Sequence, residues 1–158
     1  MKVGRITLSD RASAGTYADK SGPEIERVFR DCWGNGEELE FVSHLLPDER
    51  TEISNSLRRL ADEEDCELIV TTGGTGPTPR DVTPEATRAV IEKELPGFGE
   101  IMRMRSFPNV PTAILSRATA GVRGKSLIIN LPGNPKAVGE CLPLLIPAIR
   151  EGIDHLRA

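Results

Sequence analysis

The sequence lacks an excess of positive charge, a long apolar run and a dense set of cysteines. The formal net charge of −4 and the scattered arginines give no basic patch of the kind that binds nucleic acid nonspecifically. The longest nearly apolar run, residues 142–149, contains two prolines and is too short to cross a bilayer. We therefore expect a protein that binds neither nucleic acid nor membrane.

The cysteines and the first residues bear on the cellular compartment. Cys32, Cys66 and Cys141 are odd in number and widely spaced, which is typical of reduced thiols rather than of a disulfide framework. Residues 1–6 contain no long apolar core of the kind that signal peptides have. These features predict a cytoplasmic protein, and the length of 158 residues predicts one domain, residues 1–158.

The apolar periodicity indicates strands that alternate with helices. Such alternation predicts an α/β fold, with helices on both faces of one sheet. The predicted strands are residues 3–8, 39–46 and 67–72, followed by a hairpin within 121–131 that turns at Gly124-Lys125. The predicted helices start at Ser21, Asp48, Thr83, Phe98 and Asn134.

Capping and helix-breaking residues predict where these helices begin and end. We expect Gly34-Asn35-Gly36 to end the first helix, and Asp48 to cap the second. Thr83 is expected to cap the third helix, which would run to about residue 94. Pro143 and Pro147 are expected to divide the last helical region into two pieces.

Unusual segments follow four of the predicted strands. Ligands of open α/β sheets bind in the crevice outside the carboxyl ends of the strands. We therefore expect these segments to share one edge of the sheet and one cleft. The segments are Ser9-Asp10-Arg11, Pro47-Asp48, Gly73-Gly74-Thr75-Gly76 with Asp81, and Pro132-Gly133-Asn134.

The segment of residues 70–84 is the most unusual of these. It has three glycines in four positions, which let a ligand approach the main chain, and it leads into a helix start that favours an anion. A plain strand-to-helix connection needs fewer glycines. The segment is not a Walker A loop, and Pro79 stands where a dinucleotide fingerprint has its third glycine. It predicts a loop that binds phosphate or nucleotide.

Two carboxylates accompany this loop, and each has a structural alternative. Asp48 taken alone is more often a helix cap than a catalytic residue, whereas Asp81 lies beside a helix start that Thr83 already caps. His44 and His155 have no Cys or His neighbour at metal spacing, which argues against zinc. Two carboxylates near phosphate-binding backbone favour Mg²⁺, which shares its oxygen ligands with a nucleotide. The residues alone thus predict a Mg²⁺-assisted site for a phosphorylated small molecule.

Six motifs in the order of the chain resemble those of the MogA/MoaB family of molybdenum-cofactor biosynthesis, and together they span nearly its whole length. Residues 9–17 and 46–49 are most similar to the MogA branch, the molybdopterin adenylyltransferases. The motifs are residues 9–13, 46–49, 71–86, 96–100, 115–117 and 131–135.

This resemblance implies a fold, an assembly and an activity. The fold would be a three-layer α/β/α sandwich with a mostly parallel mixed sheet, and the assembly a homotrimer. The terminal phosphate of molybdopterin would attack the α-phosphorus of ATP and release pyrophosphate, in a Mg²⁺-dependent nucleotidyl transfer. Asp81 would hold Mg²⁺ and the transferring phosphate, and Asp48 would lie in the same cleft as the second catalytic and metal-binding carboxylate.

The resemblance also implies the residues that bind the substrates. Arg117 would be a candidate partner of a phosphate. The loop residues Thr72, Gly73, Gly74, Thr75 and Gly76 would cradle the ligand, and Ser9, Asp10, Ser116, Arg117, Pro132, Gly133 and Asn134 would line the walls.

Alternatives of the same fold stay open. A MoaB-like protein would have the same activity or only bind the pterin, and a scaffold protein would bind molybdopterin without catalysis. The related domains of molybdenum-insertion enzymes and CinA-like proteins share a glycine-rich loop. However, they come with further domains, and their loop departs from Gly-Pro-Thr-Pro-Arg-Asp, residues 76–81 here. We expect a molybdenum-insertion enzyme to be a partner of this chain.

Overall fold

The computed structural model describes residues 1–34 and 36–158, in which six strands form one mixed sheet of order β2-β1-β3-β6-β5-β4. Neighbouring strands among β2, β1, β3 and β6 pair in parallel, whereas β5 is antiparallel to β6 and β4 antiparallel to β5. The predicted mostly parallel mixed sheet is confirmed. The strands are β1 Lys2–Leu8, β2 Glu40–Leu46, β3 Leu68–Thr72, β4 Lys93–Glu94, β5 Ala120–Arg123 and β6 Ser126–Leu131.

Helices cover both faces of this sheet, so the predicted three-layer α/β/α arrangement is confirmed. On one face, α2 and α6 pack against Val70 and Ile129. On the other face, α3 and α4 pack against Ile69 and Ile128. The helices are α1 Asp10–Ser13, α2 Ser21–Cys32, α3 Arg50–Asp62, α4 Thr83–Arg88, α5 Gly97–Ser106 and α6 Pro135–Arg157, with a 3₁₀ helix at Pro111–Leu115.

The central strands are apolar on both faces because both faces are covered. Every residue of β3 and β6 is buried, as expected for parallel strands between two helical layers. Successive side chains of a strand point to opposite faces, and Ile69 accordingly joins one core while Leu68 and Val70 join the other.

The caps predicted for the second and third helices are wrong. The N-cap positions of α3 and α4 are Glu49 and Val82, and neither makes a side-chain capping bond. The carboxylate of Asp48 instead accepts the backbone N–H of Asp10 (3.1 Å). The hydroxyl of Thr83 donates to the carbonyl of Gly73 (2.9 Å). Both side chains connect neighbouring segments at the edge of the sheet, which a local capping rule does not describe.

Two predicted helix bounds are also wrong. Helix α4 ends at Arg88 rather than near residue 94, because Lys93–Glu94 pairs with β5 as the edge strand β4. Helix α6 is continuous over Pro143 and Pro147. Its buried stripe runs unbroken on both sides of the prolines, and this packing keeps the region one helix. The stripe consists of Val138, Cys141, Leu142, Leu145, Ile146, Ile149 and Ile153.

Other predicted boundaries agree with the structure. Asn134 caps α6 by accepting the N–H of Lys136 (2.8 Å), and Pro135 is its first residue. Gly124 has a positive φ of 56° in the β5–β6 turn. Helix α2 ends at Cys32, just before the predicted Gly34-Asn35-Gly36 stop, of which Asn35 lies outside the described residues. In the described part of the chain, no helix combines the length and apolarity that a membrane span requires.

Candidate functional site

The carboxyl ends of β1, β2, β3 and β6 lie at one edge of the sheet, and hydrogen bonds join the segments that leave them. The N–H of Ser9 donates to the carbonyl of Leu46 (2.9 Å). The hydroxyl of Thr72 donates to the carbonyl of Pro132 (2.6 Å), and the N–H of Gly73 to that of Leu131 (3.3 Å). The expectation that these segments share one edge is confirmed.

The glycines of the loop after β3 are required by its conformation and packing. Gly73 and Gly74 have φ of 99° and 67°, where residues with a Cβ are strained. A Cβ on Gly73 would lie 2.4 Å from the carbonyl oxygen of Leu8, and one on Gly74 would lie 2.3 Å from the hydroxyl oxygen of Thr83. These two glycines are therefore needed to pack the strand ends together, in addition to any contact with a ligand.

Asp48 and Asp10 are bound to each other's backbone. The N–H of Asp10 donates to Oδ2 of Asp48 (3.1 Å), and the N–H of Asp48 donates to Oδ1 of Asp10 (2.9 Å). Arg80 then binds Asp10 with two nitrogens, Nε to Oδ2 (3.0 Å) and Nη2 to Oδ1 (2.9 Å). Its Nη2 also contacts Oε1 of Glu49 (2.9 Å). The segments after β1, β2 and β3 are thereby tied together by charged side chains.

The two bonded aspartates differ in protonation chemistry. Burial raises the pKa of Asp48, and the negative charges of Asp10 and Asp81 raise it further, against the opposing hydrogen bond from Asp10 and the charge of Arg80. Hydrogen bonds from Arg80 and from the backbone of Asp48 lower the pKa of Asp10. Asp48 is thus a carboxylate whose ionised form an additional cation would stabilise.

Asp81 closes a turn in its own loop. Its Oδ2 accepts the backbone N–H (3.0 Å) and the hydroxyl (2.7 Å) of Thr78. A Cβ on Gly76 would lie 2.8 Å from the same oxygen, so the carboxylate lies against the glycine loop. Among the described residues, the hydrogen bonds to this carboxylate go to Oδ2, which leaves Oδ1 for a further partner.

Arg117 binds the segment that contains the glycine loop and Asp81, through both its side chain and its backbone. Its Nε donates to the carbonyl of Gly76 (2.9 Å), its Nη2 donates to that of Asp81 (2.8 Å), and its Nη1 pairs with Glu85. The N–H of Arg117 donates to the carbonyl of Thr75 (2.8 Å). These contacts fix the loop on both sides of Asp81. The role of Arg117 as a phosphate partner stays a prediction.

Two clefts open on either side of the glycine loop and share Asn134 and Lys136. One has a volume of about 450 Å³ and is lined by Thr75, Ser116 and Pro132. The other has a volume of about 600 Å³ and is lined by Ser9, Thr72 and Gly133.

The two carboxylates do not line these clefts. Within residues 1–34 and 36–158, the walls of the clefts do not include Asp48 or Asp81. Gly74 and Gly76 adjoin those carboxylates instead, whereas Thr72 and Thr75 line the clefts. The loop of residues 72–76 therefore adjoins both, the clefts through Thr72 and Thr75 and the carboxylates through Gly74 and Gly76.

Arg11, from a segment that was expected at the cleft, lines the larger cleft, and its guanidinium lies 4.7 Å from the centre of the Tyr17 ring. Other cleft residues were not predicted from the sequence. Tyr17 and Lys136 also line the larger cleft. Arg103 lines the smaller cleft. Lys136 could have been found from its place in the first turn of the helix that Asn134 caps, whereas an isolated arginine or tyrosine gives no such signal.

The carboxylates fit Mg²⁺ only as an ion shared with a substrate. No cluster of three or more His, Cys, Asp or Glu side chains that could hold a metal occurs among the residues that the structure describes. Mg²⁺ is commonly bound by one or two carboxylates together with substrate phosphates. Asp48, with its raised pKa and negative neighbours, and Asp81, with Oδ1 available, fit such a shared ion.

Comparisons with known proteins point to one family. Residues 4–151 match the model of a family described as a probable molybdopterin binding domain. A molybdopterin adenylyltransferase of Helicobacter pylori is 55% identical over 152 residues, which cover 96% of this chain and 85% of that protein.

Solved structures of two relatives have the same fold. The molybdopterin biosynthesis enzyme MoaB of Thermus thermophilus superposes with a TM-score of 0.87 at 41% identity, covering 98% of this chain and 95% of that one. The molybdopterin biosynthesis Mog protein of Mycobacterium ulcerans has a TM-score of 0.87 at 35% identity, covering 98% of each chain.

Proposed function

Because this chain belongs to the MogA/MoaB family of probable molybdopterin-binding domains, we propose that it is a molybdopterin adenylyltransferase. The observation that carries the proposal is the similarity, over nearly the whole chain, to a relative of that name. The site supports it, because two clefts that meet at Asn134 and Lys136 suit a ligand pair whose reacting groups must be brought together. Residues 1–158 would act as one domain.

The proposed reaction transfers AMP from ATP to the terminal phosphate of molybdopterin. A phosphate oxygen of molybdopterin forms a bond to the α-phosphorus of ATP, and the bond to the bridging oxygen of the β-phosphate breaks to release pyrophosphate. Both reactants are anionic, so the barrier is largely electrostatic repulsion and alignment. A site for this reaction must supply positive charge and hold both phosphates in place.

The residues of the chain can meet this requirement in three ways. Arg11 and Lys136 line the larger cleft, and Lys136 extends to the smaller one, so positive charge lies where the clefts meet. The backbone of the loop, from Thr72 to Gly76, would orient the phosphates between them. Mg²⁺, if held by Asp48 and Asp81, would neutralise phosphate charge at the loop.

The test is a product assay with the purified protein. Incubation with molybdopterin, ATP and Mg²⁺ is expected to give pyrophosphate and adenylylated molybdopterin in equal amounts. Binding of molybdopterin with neither product would contradict the enzyme proposal. That outcome would favour the alternative, a MoaB-like or scaffold protein that binds the pterin without catalysis. Omission of Mg²⁺ tests the proposed metal dependence in the same assay.

We further propose that the protein is a homotrimer that acts in the cytoplasm and passes its product to a molybdenum-insertion enzyme. The proposed subunit interface is an apolar surface at α5 and the 3₁₀ helix, where the side chains of Met104 and Ile114 are 68% and 62% exposed. Contiguous exposed apolar groups of this kind mark interaction sites. Phe107, Val110 and Leu115 also belong to this surface. The free thiols of the three cysteines are consistent with the proposed compartment.

A further inference from the structure

Arg80 connects the two carboxylates of the site. It directly precedes Asp81 in the chain, and its guanidinium binds Asp10 with two nitrogens, at 3.0 and 2.9 Å. Oδ1 of Asp10 accepts both from Arg80 (2.9 Å) and from the backbone N–H of Asp48 (2.9 Å). A chain of covalent and hydrogen bonds therefore runs from Asp81 through Arg80 and Asp10 to Asp48.

Neither stability nor a place in the walls of the clefts accounts for these bonds. The side chain of Arg80 is 55% exposed, and ion pairs at such positions contribute little to the free energy of folding. Arg80 does not line either cleft, as far as residues 1–34 and 36–158 describe them. Its planar guanidinium does, however, fix a carboxylate in one orientation, because both nitrogens engage it at once.

We propose that Arg80 is a positioning residue for adenylyl transfer, which fixes Asp10 and through it holds the backbone of Asp48 at a set place relative to Asp81. This inference rests on the proposed function. Without the guanidinium, the Asp10 carboxylate can rotate and release the N–H of Asp48. The carboxylates of Asp48 and Asp81 are then no longer held at fixed positions relative to each other. The contact of Arg80 with Glu49 (2.9 Å) fixes the same segment at a second point.

The first test separates positioning from substrate binding. Arg80→Ala is expected to lower kcat on the order of tenfold, as coupling within one hydrogen-bond network suggests. The KM values for ATP and molybdopterin are expected to change less than about threefold, because Arg80 lines neither cleft. Arg80→Lys keeps the positive charge but loses the planar guanidinium that binds Asp10 with two nitrogens. Its kcat is expected to lie between those of wild type and Arg80→Ala.

Arg88→Ala is the matched control. Arg88 lies on α4, its side chain is 49% exposed, and it pairs with Glu94 at 3.0 Å. It thus resembles Arg80 in exposure and in ion pairing, but it does not contact Asp10 or Asp48. Wild-type kcat in Arg80→Ala, or a KM increase at unchanged kcat, would overturn the proposal. A loss of the same size in Arg88→Ala would also overturn it.

A double-mutant cycle tests the route through Asp10. If Arg80 acts through that carboxylate, Asp10→Asn and the double variant with Arg80→Ala are expected to have similar kcat. If the losses in kcat of the two single variants multiply in the double variant, Arg80 acts independently of Asp10, for example on a phosphate. That result would overturn the proposal.

A measurement without substrates distinguishes failure of this inference from failure of the proposed function. The amide NMR resonance of Asp48 is expected to shift in Arg80→Ala and to stay in place in Arg88→Ala. An unmoved resonance overturns the positioning role even if the wild-type protein is an adenylyltransferase. A moved resonance with no product from wild type retains the structural link and rejects the enzyme proposal.

Discussion

The two carboxylates of the site, Asp81 and Asp48, are held in place by different parts of the chain. The carboxylate of Asp81 is bound by Thr78 in its own turn, whereas that of Asp48 is bound by the backbone of Asp10 from another strand end. The position of Asp81 is therefore set locally, and that of Asp48 depends on the approach of two strands. A change at Asp81 should leave the fold intact.

Asp81→Asn is expected to change the free energy of unfolding by about 0.5 kcal/mol or less, since the amide oxygen can still accept from Thr78. It should slow adenylyl transfer on the order of 100-fold, because a neutral amide would bind the proposed Mg²⁺ ion, and with it the transferring phosphate, more weakly. Steady-state turnover and urea unfolding measure the two effects.

Thr78→Val is the control for the shape of the turn. It removes the hydroxyl that donates to Oδ2 (2.7 Å) and keeps the charge of Asp81, so turnover should stay within about threefold of wild type. Equal losses in both variants would assign the effect to the turn. Near-normal turnover in Asp81→Asn would remove Asp81 from the mechanism.

His44 predicts a dependence of stability on pH. Burial lowers its pKa, the charge of Arg59 adds to this, and Glu64 opposes it, while Nδ1 lies 2.6 Å from the hydroxyl of Ser56. The unfolded chain takes up this proton near the ordinary pKa of 6.5, and the folded protein does so only at lower pH. Stability should therefore fall as the pH decreases through 6.5 towards the folded-state pKa.

Thermal unfolding between pH 7.5 and 5.5 measures this contribution. His44→Gln should reduce the fall in Tm over that range. His155→Gln should leave it unchanged, because the side chain of His155 is 73% exposed. If both variants show the wild-type dependence on pH, His44 is not its source.

At the scale of secondary structure, α6 is unusual in keeping two prolines within a continuous helix. Each proline lacks the N–H of the helical ladder and crowds the preceding turn. Pro147 is exposed, and Pro143 is partly buried, so neither belongs to the fully buried stripe that holds the helix on the core. The helix therefore carries a conformational cost that packing offsets.

Pro147→Ala is expected to stabilise the protein by roughly 2 kcal/mol, the cost of an interior proline less the entropy it removes from the unfolded chain. Pro135→Ala is the matched control, because proline at the first position of a helix lacks only an N–H that would be unpaired. It should change the free energy of unfolding by about 0.5 kcal/mol or less. Urea unfolding measures both. An unchanged free energy of unfolding for Pro147→Ala would mean that Pro147 does not destabilise the helix.

Local sequence patterns predicted most of the elements but few of the contacts at the site. Short, largely apolar runs rich in β-branched residues predicted β1, β3 and β6, because a strand covered on both faces is apolar over its own length. The partners of Asp10 lie 38 and 70 residues away, at Asp48 and Arg80. No local rule relates residues so far apart, and this is why the cap assigned to Asp48 was wrong while the shared sheet edge was predicted correctly.

At the scale of the whole molecule, the apolar surface at α5 and the 3₁₀ helix offers a test of the proposed trimer. The double variant Met104→Glu/Ile114→Glu should convert a trimer into monomers, since charges would be buried without partners. Light scattering after size-exclusion chromatography measures the number of chains. Leu45→Glu on β2, whose residue is 42% exposed and lies outside this surface, should keep the trimer. A monomeric wild type, or a trimer that survives the double variant, would contradict the prediction.

The strand order also has a consequence for synthesis on the ribosome. Strand β6 pairs with β3 at the centre of the sheet, yet Pro132 follows Thr72 by 60 residues. At usual translation rates that interval takes roughly 3 to 12 s, during which a nascent β3 has one edge unpaired. An unpaired apolar edge is a template for pairing with other chains. The same strand insertion that brings Asn134 to the two clefts therefore also covers the edge of β3 that other chains could pair with.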